Sequence, residues 1–146
     1  MTTDTPDAAE LESLIGAALA NDIPDAVIFA DAGGAIRFWN AGATRIFGFS
    51  RDDALGQSLD IIIPERQRVR HWAGFQRMME TGQSRYRDDQ MLAVPAMTQD
   101  GRTISIEFTL APVRDKDGQI AGLVALLRDV TKTFLELKRL RSCADR

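Results

Sequence analysis

The sequence predicts an α+β domain with five antiparallel strands. Short helices and one longer helix lie on one face, and a flanking helix stands at each end. Three observations predict it. The hydrophobic period switches from helical to alternating and back along the chain. Strand-like runs are opened or joined by the glycine turns Gly33-Gly34, Asp100-Gly101 and Asp117-Gly118. The order is β-β, short helices, one longer helix, then β-β-β, which suits helices grouped on one side of an antiparallel sheet.

The first helix reads from about Asp7 to Ala20, with Leu11, Leu14, Ile15, Ala18 and Leu19 forming one apolar stripe. Asn21-Asp22 ends it and Pro24 blocks its continuation. Ala26–Ala30 is a short strand, Gly33-Gly34 permits a tight turn, and Ala35–Trp39 returns. Asn40 is an N-cap for a short helix through Phe47, and Ser50 caps another over Arg51–Leu55. Pro64-Glu65 opens the longer helix, which runs to about Glu80.

Three strand-like stretches follow: Ser84 to about Leu92, Arg102–Pro112 and Gln119–Asp129. In the second, Ile104, Ile106, Phe108 and Leu110 face one way and Thr103, Ser105, Glu107 and Thr109 the other. The last stretch is apolar on both faces, so its outer face needs a cover. The N-terminal helix or a second copy of the chain could supply it. A final helix, about Lys132 to Arg141, carries Phe134, Leu137 and Leu140. The expected division is a flanking helix over 1–21, the domain over 22–131 and a short output-type helix over 132–146.

Composition narrows the function. With 18 basic and 21 acidic residues the net charge is −3, so no basic excess argues for nucleic acid. The acidic, polar start is unlike a secretory signal, and the longest apolar run, Ile120–Leu127, is far short of the roughly 20 residues of a membrane span. A single cysteine, Cys143, excludes an internal disulfide, and a cytoplasmic location is the default expectation. No Gly-rich phosphate loop or metal-ligand cluster is present, so the expectation is a non-enzyme.

The motifs Pro24-Asp-Ala-Val-Ile-Phe-Ala-Asp, Gly34-Ala-Ile, Trp39-Asn40, Ile46-Phe-Gly-Phe-Ser, Leu55-Gly, Ile63-Pro-Glu, Gln99-Asp-Gly and Arg128-Asp-Val-Thr131 together resemble the PAS family. The resemblance covers about residues 22–131. It implies the PAS fold and a sensory or dimerising module, but the fold alone does not say what is sensed.

His71 is the only histidine. It lies in the longer helix, with Phe75 four and Met78 seven residues on, so the three share a face. Two readings fit such a residue: a hydrogen-bonded histidine at the edge of the core, or an axial ligand to heme iron with apolar neighbours against the porphyrin. The stretch resembles the heme-PAS oxygen-sensor kinases and heme-PAS phosphodiesterases. In those the iron-binding histidine follows a Pro-Glu-like opening in this helix. That resemblance implies heme b with His71 as proximal ligand. It also implies Arg77 and Arg85 as partners of the propionates, which want cationic donors.

Met91 stands twenty residues after His71. By resemblance this position belongs to the distal side, and a thioether there would be a soft sixth ligand that favours ferrous iron. Met91 as ordinary core filler is the other reading, and Arg87 and Asp89 share its strand parity. Met97 is the rival ligand, although Pro95 argues against a regular strand there. Phe108 and Leu110 would form the distal wall by their alternation.

The resemblance thus implies a sensor of a diatomic gas (O2, CO or NO) or of redox state. It would be a homodimer, signalling through dimer contacts or to a separate partner protein, with no nucleic acid and no membrane. Flavin photosensors of the family carry a reactive cysteine after the short helices, and this chain has none there. The alternatives are a heme-free dimerisation or docking module and a domain binding another small ligand.

Overall fold

The computed structural model describes residues 6–83 and 93–144. The elements are α1 (Ala8–Asn21), β1 (Ala26–Asp31), β2 (Ile36–Trp39), α2 (Ala41–Phe47), α3 (Arg51–Ala54), α4 (Arg68–Thr81), β3 (Val94–Met97), β4 (Thr103–Arg114), β5 (Ile120–Asp129) and α5 (Thr131–Ala144). Two 3-10 turns, Leu59–Ile62 and Glu65–Gln67, lead into α4. The five strands form one antiparallel sheet in the order β2-β1-β5-β4-β3.

Asp31 builds the β1–β2 turn. Its Oδ1 accepts from the backbone N–H groups of Gly33 and Ala35 at 3.0 and 3.1 Å, and its Oδ2 accepts from Arg37 Nε at 2.8 Å. Asn40 caps α2 while buried. Its Oδ1 accepts from Val27 N at 2.8 Å and Ala43 N at 2.9 Å, and its Nδ2 donates to Asp25 O at 3.0 Å. One side chain therefore caps a helix and ties it to the start of β1. Gly42 permits the close approach, because a Cβ there would collide with the Asp25 carbonyl. Trp39 fills the core beside Phe47, and its indole N–H finds Thr44 Oγ1 and Phe49 O, each at 3.1 Å.

The register sets the inner face of the sheet. Ile28 pairs Ala125 and Ala30 pairs Leu123 across β1 and β5, while Phe108 pairs Leu127 and Leu110 pairs Ala125 across β4 and β5. Side chains at alternate positions point to one side, so these rows form a continuous apolar surface. On the outer face, Val124 and Leu126 border a groove with Val27, Thr109 and Ala111, and its rim is closed by Gly16, Leu19 and Ala20 of α1. No residue of α1 is buried, and Leu14 and Ile15 stay more than half exposed.

The third strand differs from the sequence expectation. The described strand is Val94–Met97, and the expected stretch from Ser84 to about Leu92 lies outside the described residues. Pro95 sits within β3 opposite Ser105. Among the described strands β3 pairs only with β4 and so lies at the edge, where a missing backbone N–H costs no ladder bond. At the far end, Thr131 Oγ1 accepts from Ser105 N at 2.9 Å while Asp129 Oδ1 accepts from Thr131 N at 2.9 Å, which fixes the start of α5 against β4.

Candidate functional site

Helix α4 and the 3-10 turns before it stand off the inner face of the sheet and enclose a cavity of about 540 Å³. That falls within the roughly 300–1,000 Å³ of small-molecule and cofactor sites. The sheet wall, from Ile28, Ala30, Ile106, Phe108, Leu110, Leu123, Ala125 and Leu127, carries no polar side chain. The polar groups come from the helix side: Arg66, Gln67, Arg70, His71 and Arg77.

Helical spacing places His71, Phe75 and Met78 on the cavity side of α4, as their positions i, i+4 and i+7 require. Met78 is buried, while His71 and Phe75 are half-buried. The His71 ring meets Trp72 edge-on at 4.7 Å between centroids and Phe75 at 6.3 Å. Its Nδ1 is buried with no hydrogen-bond partner among the described residues. An unpartnered buried polar atom costs about 1–3 kcal/mol; Nδ1 is packed against protein, so a ligand in the cavity would have to meet the ring's other nitrogen, Nε2. Burial pushes the imidazole below the ordinary histidine range, and the Asp60 carboxylate opposes that shift. A neutral ring with a free lone pair is the form that binds a metal.

Of the residues singled out from sequence, the structure brings His71, Phe75, Arg77, Phe108 and Leu110 to this one cavity. Arg77 lines it while exposed, so it stands at the mouth. Arg85 and Met91 lie outside the described residues. Met97 does not line the cavity, which takes Val94 and Pro95 from β3. Arg66 and Arg70 also line the cavity, and the sequence reading missed them. Their spacing of four residues, each one position before Gln67 and His71, was the available signal.

The donor set fits a heme. There is one imidazole in the lining, an apolar wall opposite it among the described residues, and cations at the mouth for two carboxylates. It suits a flavin less well, because a pyrimidine edge wants hydrogen-bonding side chains and the described sheet wall offers none.

Known proteins place the chain in context. The family described as the PAS fold matches residues 20–133. The sensor protein FixL of Bradyrhizobium diazoefficiens is 28% identical over 129 residues, covering 85% of this chain and 25% of FixL. An uncharacterized protein of Azorhizobium caulinodans is 31% identical over 121 residues, covering 82% of this chain and 16% of that protein. The chain thus spans a quarter or less of these relatives. Among solved structures, the PAS domain of a Colwellia psychrerythraea protein has a TM-score of 0.71 at 21% identity, over 84% of this chain and 98% of that one. An RNA-binding light-oxygen-voltage receptor has a TM-score of 0.72 at 20% identity, over 99% of this chain and 40% of that one. At such identities the likeness is one of fold.

Proposed function

Because the chain belongs to the PAS family, a family of sensory domains, we propose that it is a heme-holding sensor of a diatomic gas or of redox state. The observation that carries the proposal is the half-buried His71 ring on the wall of a large cavity whose opposite wall, among the described residues, is apolar. His71 would hold the iron as proximal ligand, and Phe75, Phe108 and Leu110 would pack on the porphyrin faces. Arg77, with Arg66 and Arg70, would meet the propionates at the mouth, and Arg85 is proposed for the same role from sequence alone. Met91 is proposed as the displaceable distal ligand on the same footing. When bound, heme iron would supply reversible gas binding or a change of oxidation state. The apolar wall would exclude water, and the lowered basicity of His71 would keep it in its metal-binding form. The similarity to a protein named as a sensor supports this reading.

Signalling is proposed to run through a homodimer. Leu14 and Ile15 of α1 and Leu135 and Leu140 of α5 are each more than half exposed, and such apolar faces favour association. The light-oxygen-voltage likeness raises a flavin as the other cofactor of this fold. The chain's one cysteine is Cys143, on α5 and exposed, so a flavin-reactive thiol is not brought to the cavity. Protein made under heme-replete conditions should purify red, with one heme per chain and a Soret band. Colourless protein that also fails to take up hemin, or a yellow protein carrying flavin, would overturn the proposal.

A further inference from the structure

Trp72 lies next to His71 but does not line the cavity. Its indole points to the β1–β2 turn instead. The Nε1–H donates to Asp60 Oδ1 at 2.7 Å, and the six-membered ring covers Gly34 so closely that a Cβ there would overlap it. Gly34 has φ +83°, a backbone conformation that independently favours glycine. The same turn is bonded from the other side, where Leu59 N donates to Gly34 O at 3.2 Å. Asp60 is itself held: Ser58 Oγ accepts from its N–H at 3.1 Å, and its carbonyl accepts from Arg68 Nη2 at 3.4 Å. Arg68 Nε also donates to Ile63 O at 3.1 Å. Arg68 and Trp72, one helical turn apart, therefore grip the 3-10 turn and the hairpin together.

A ligating histidine is ordinarily oriented by a hydrogen bond from its second ring nitrogen to a carboxylate or carbonyl. His71 has none at Nδ1 among the described residues. Its ring is instead flanked by aromatic contacts, to Trp72 at 4.7 Å and Phe75 at 6.3 Å, and those two rings pack on each other at 5.2 Å. Among the described residues, only Trp72 of this trio is anchored by a hydrogen bond to a different element. We propose that Trp72, clamped between Asp60 and Gly34, is the positioning residue that fixes where His71 presents its imidazole to the cavity. The inference rests on the heme reading only where it concerns a ligated iron; the placement of the ring is a property of the chain alone.

The test uses the fact that His71 is the only histidine, so histidine-selective labelling gives one set of ring resonances. In cofactor-free protein above the imidazole's titration range, where loss of the Asp60 charge leaves the ring neutral, Asp60→Ala and Gly34→Ala should shift and broaden the His71 ring signals, although neither residue is hydrogen-bonded to the ring. Asp60→Asn keeps an acceptor for the indole and should leave the signals at their wild-type positions. Asn40→Ala, whose lost hydrogen bonds run to Asp25, Val27 and Ala43, controls for general destabilisation and should leave them too. In hemin-loaded, reduced samples the iron–histidine stretching band should move with Asp60→Ala and return with Asp60→Asn. Should Asp60→Ala and Gly34→Ala give His71 signals no different from those of Asn40→Ala, the positioning role is wrong. Hemin uptake is scored separately on the same samples, so loss of the heme reading and loss of this one are told apart. If Gly34→Ala fails to fold, the comparison of Asp60→Ala with Asp60→Asn decides alone.

Discussion

His71 on α4 and Phe108 on β4 stand on opposite walls of one cavity, the first a half-buried imidazole, the second in a wall with no polar side chain among the described residues. That opposition gives the site its chemistry, and it can be attacked from the sheet side without touching the histidine. Leu110→Glu puts a carboxylate on the apolar wall. Hemin affinity should fall at least about tenfold, equivalent to about 1.4 kcal/mol. Leu110→Met, which conserves volume, should keep affinity near wild type. Titration of hemin into cofactor-free protein checks both.

The lowered basicity of His71 predicts a pH-dependent stability in the cofactor-free protein. Its folded value lies below the unfolded one, so the unfolded chain takes the proton more readily. Above about pH 6.5 both states are neutral at this residue and nothing is lost. As pH falls through the window between about 6.5 and the lowered folded value, the His71 contribution to stability declines. Urea midpoints should therefore drop on acidification more in wild type than in His71→Gln. Parallel pH profiles for the two proteins would contradict the burial of a neutral ring.

Much of this site is legible in the sequence where a fixed period governs it. His71, Phe75 and Met78 follow from helical spacing, and Ile106, Phe108 and Leu110 from strand alternation, because each pattern is set by local backbone geometry. The third strand is not legible in that way. Pro95 argues against a strand unless the strand is known to be an edge, and edge position is a property of the whole sheet. The Asp60–Trp72 bond joins residues twelve apart across a 3-10 turn, a separation that matches no repeating pattern. Arg66 and Arg70 reach the cavity only because the chain rolls from that turn into α4 as it does.

Asn40 should dominate the stability of the β1–α2 junction. Asn40→Ala removes an N-cap and leaves the buried Val27 N–H without its acceptor. The expected loss is about 2–3 kcal/mol, the sum of a typical cap and an unsatisfied buried donor. Asn40→Asp keeps the acceptor and loses only the bond to Asp25 O, so it should cost less. Equilibrium denaturation of the two variants gives the comparison.

The two methionines proposed from sequence as distal ligands now differ in standing. Met97 lies on β3 but does not line the cavity, so Met97→Ala should leave the reduced, hemin-loaded spectrum unchanged. Met91→Ala should turn a six-coordinate, low-spin ferrous spectrum into a five-coordinate, high-spin one and speed carbon monoxide binding. It should also lower the reduction potential, since a thioether favours ferrous iron. A reversed result would assign the ligand to Met97.

Association should depend on the flanking helices. Removing residues 1–21 takes away the exposed Leu14 and Ile15 and uncovers the outer groove of β5 that Leu19 and Ala20 border. Sedimentation should show a dimer for the whole chain and a weakened one for the shortened chain. A monomeric whole chain at high concentration would refute the dimer.

The central claim is that the His71 imidazole, and no other group of the chain, holds the iron. The most direct measurement is the visible spectrum of hemin-loaded His71→Gly with and without added imidazole. The variant should lose or displace the Soret band, and the wild-type band should return when imidazole fills the vacated place. A variant whose spectrum matches wild type with no imidazole added would contradict it.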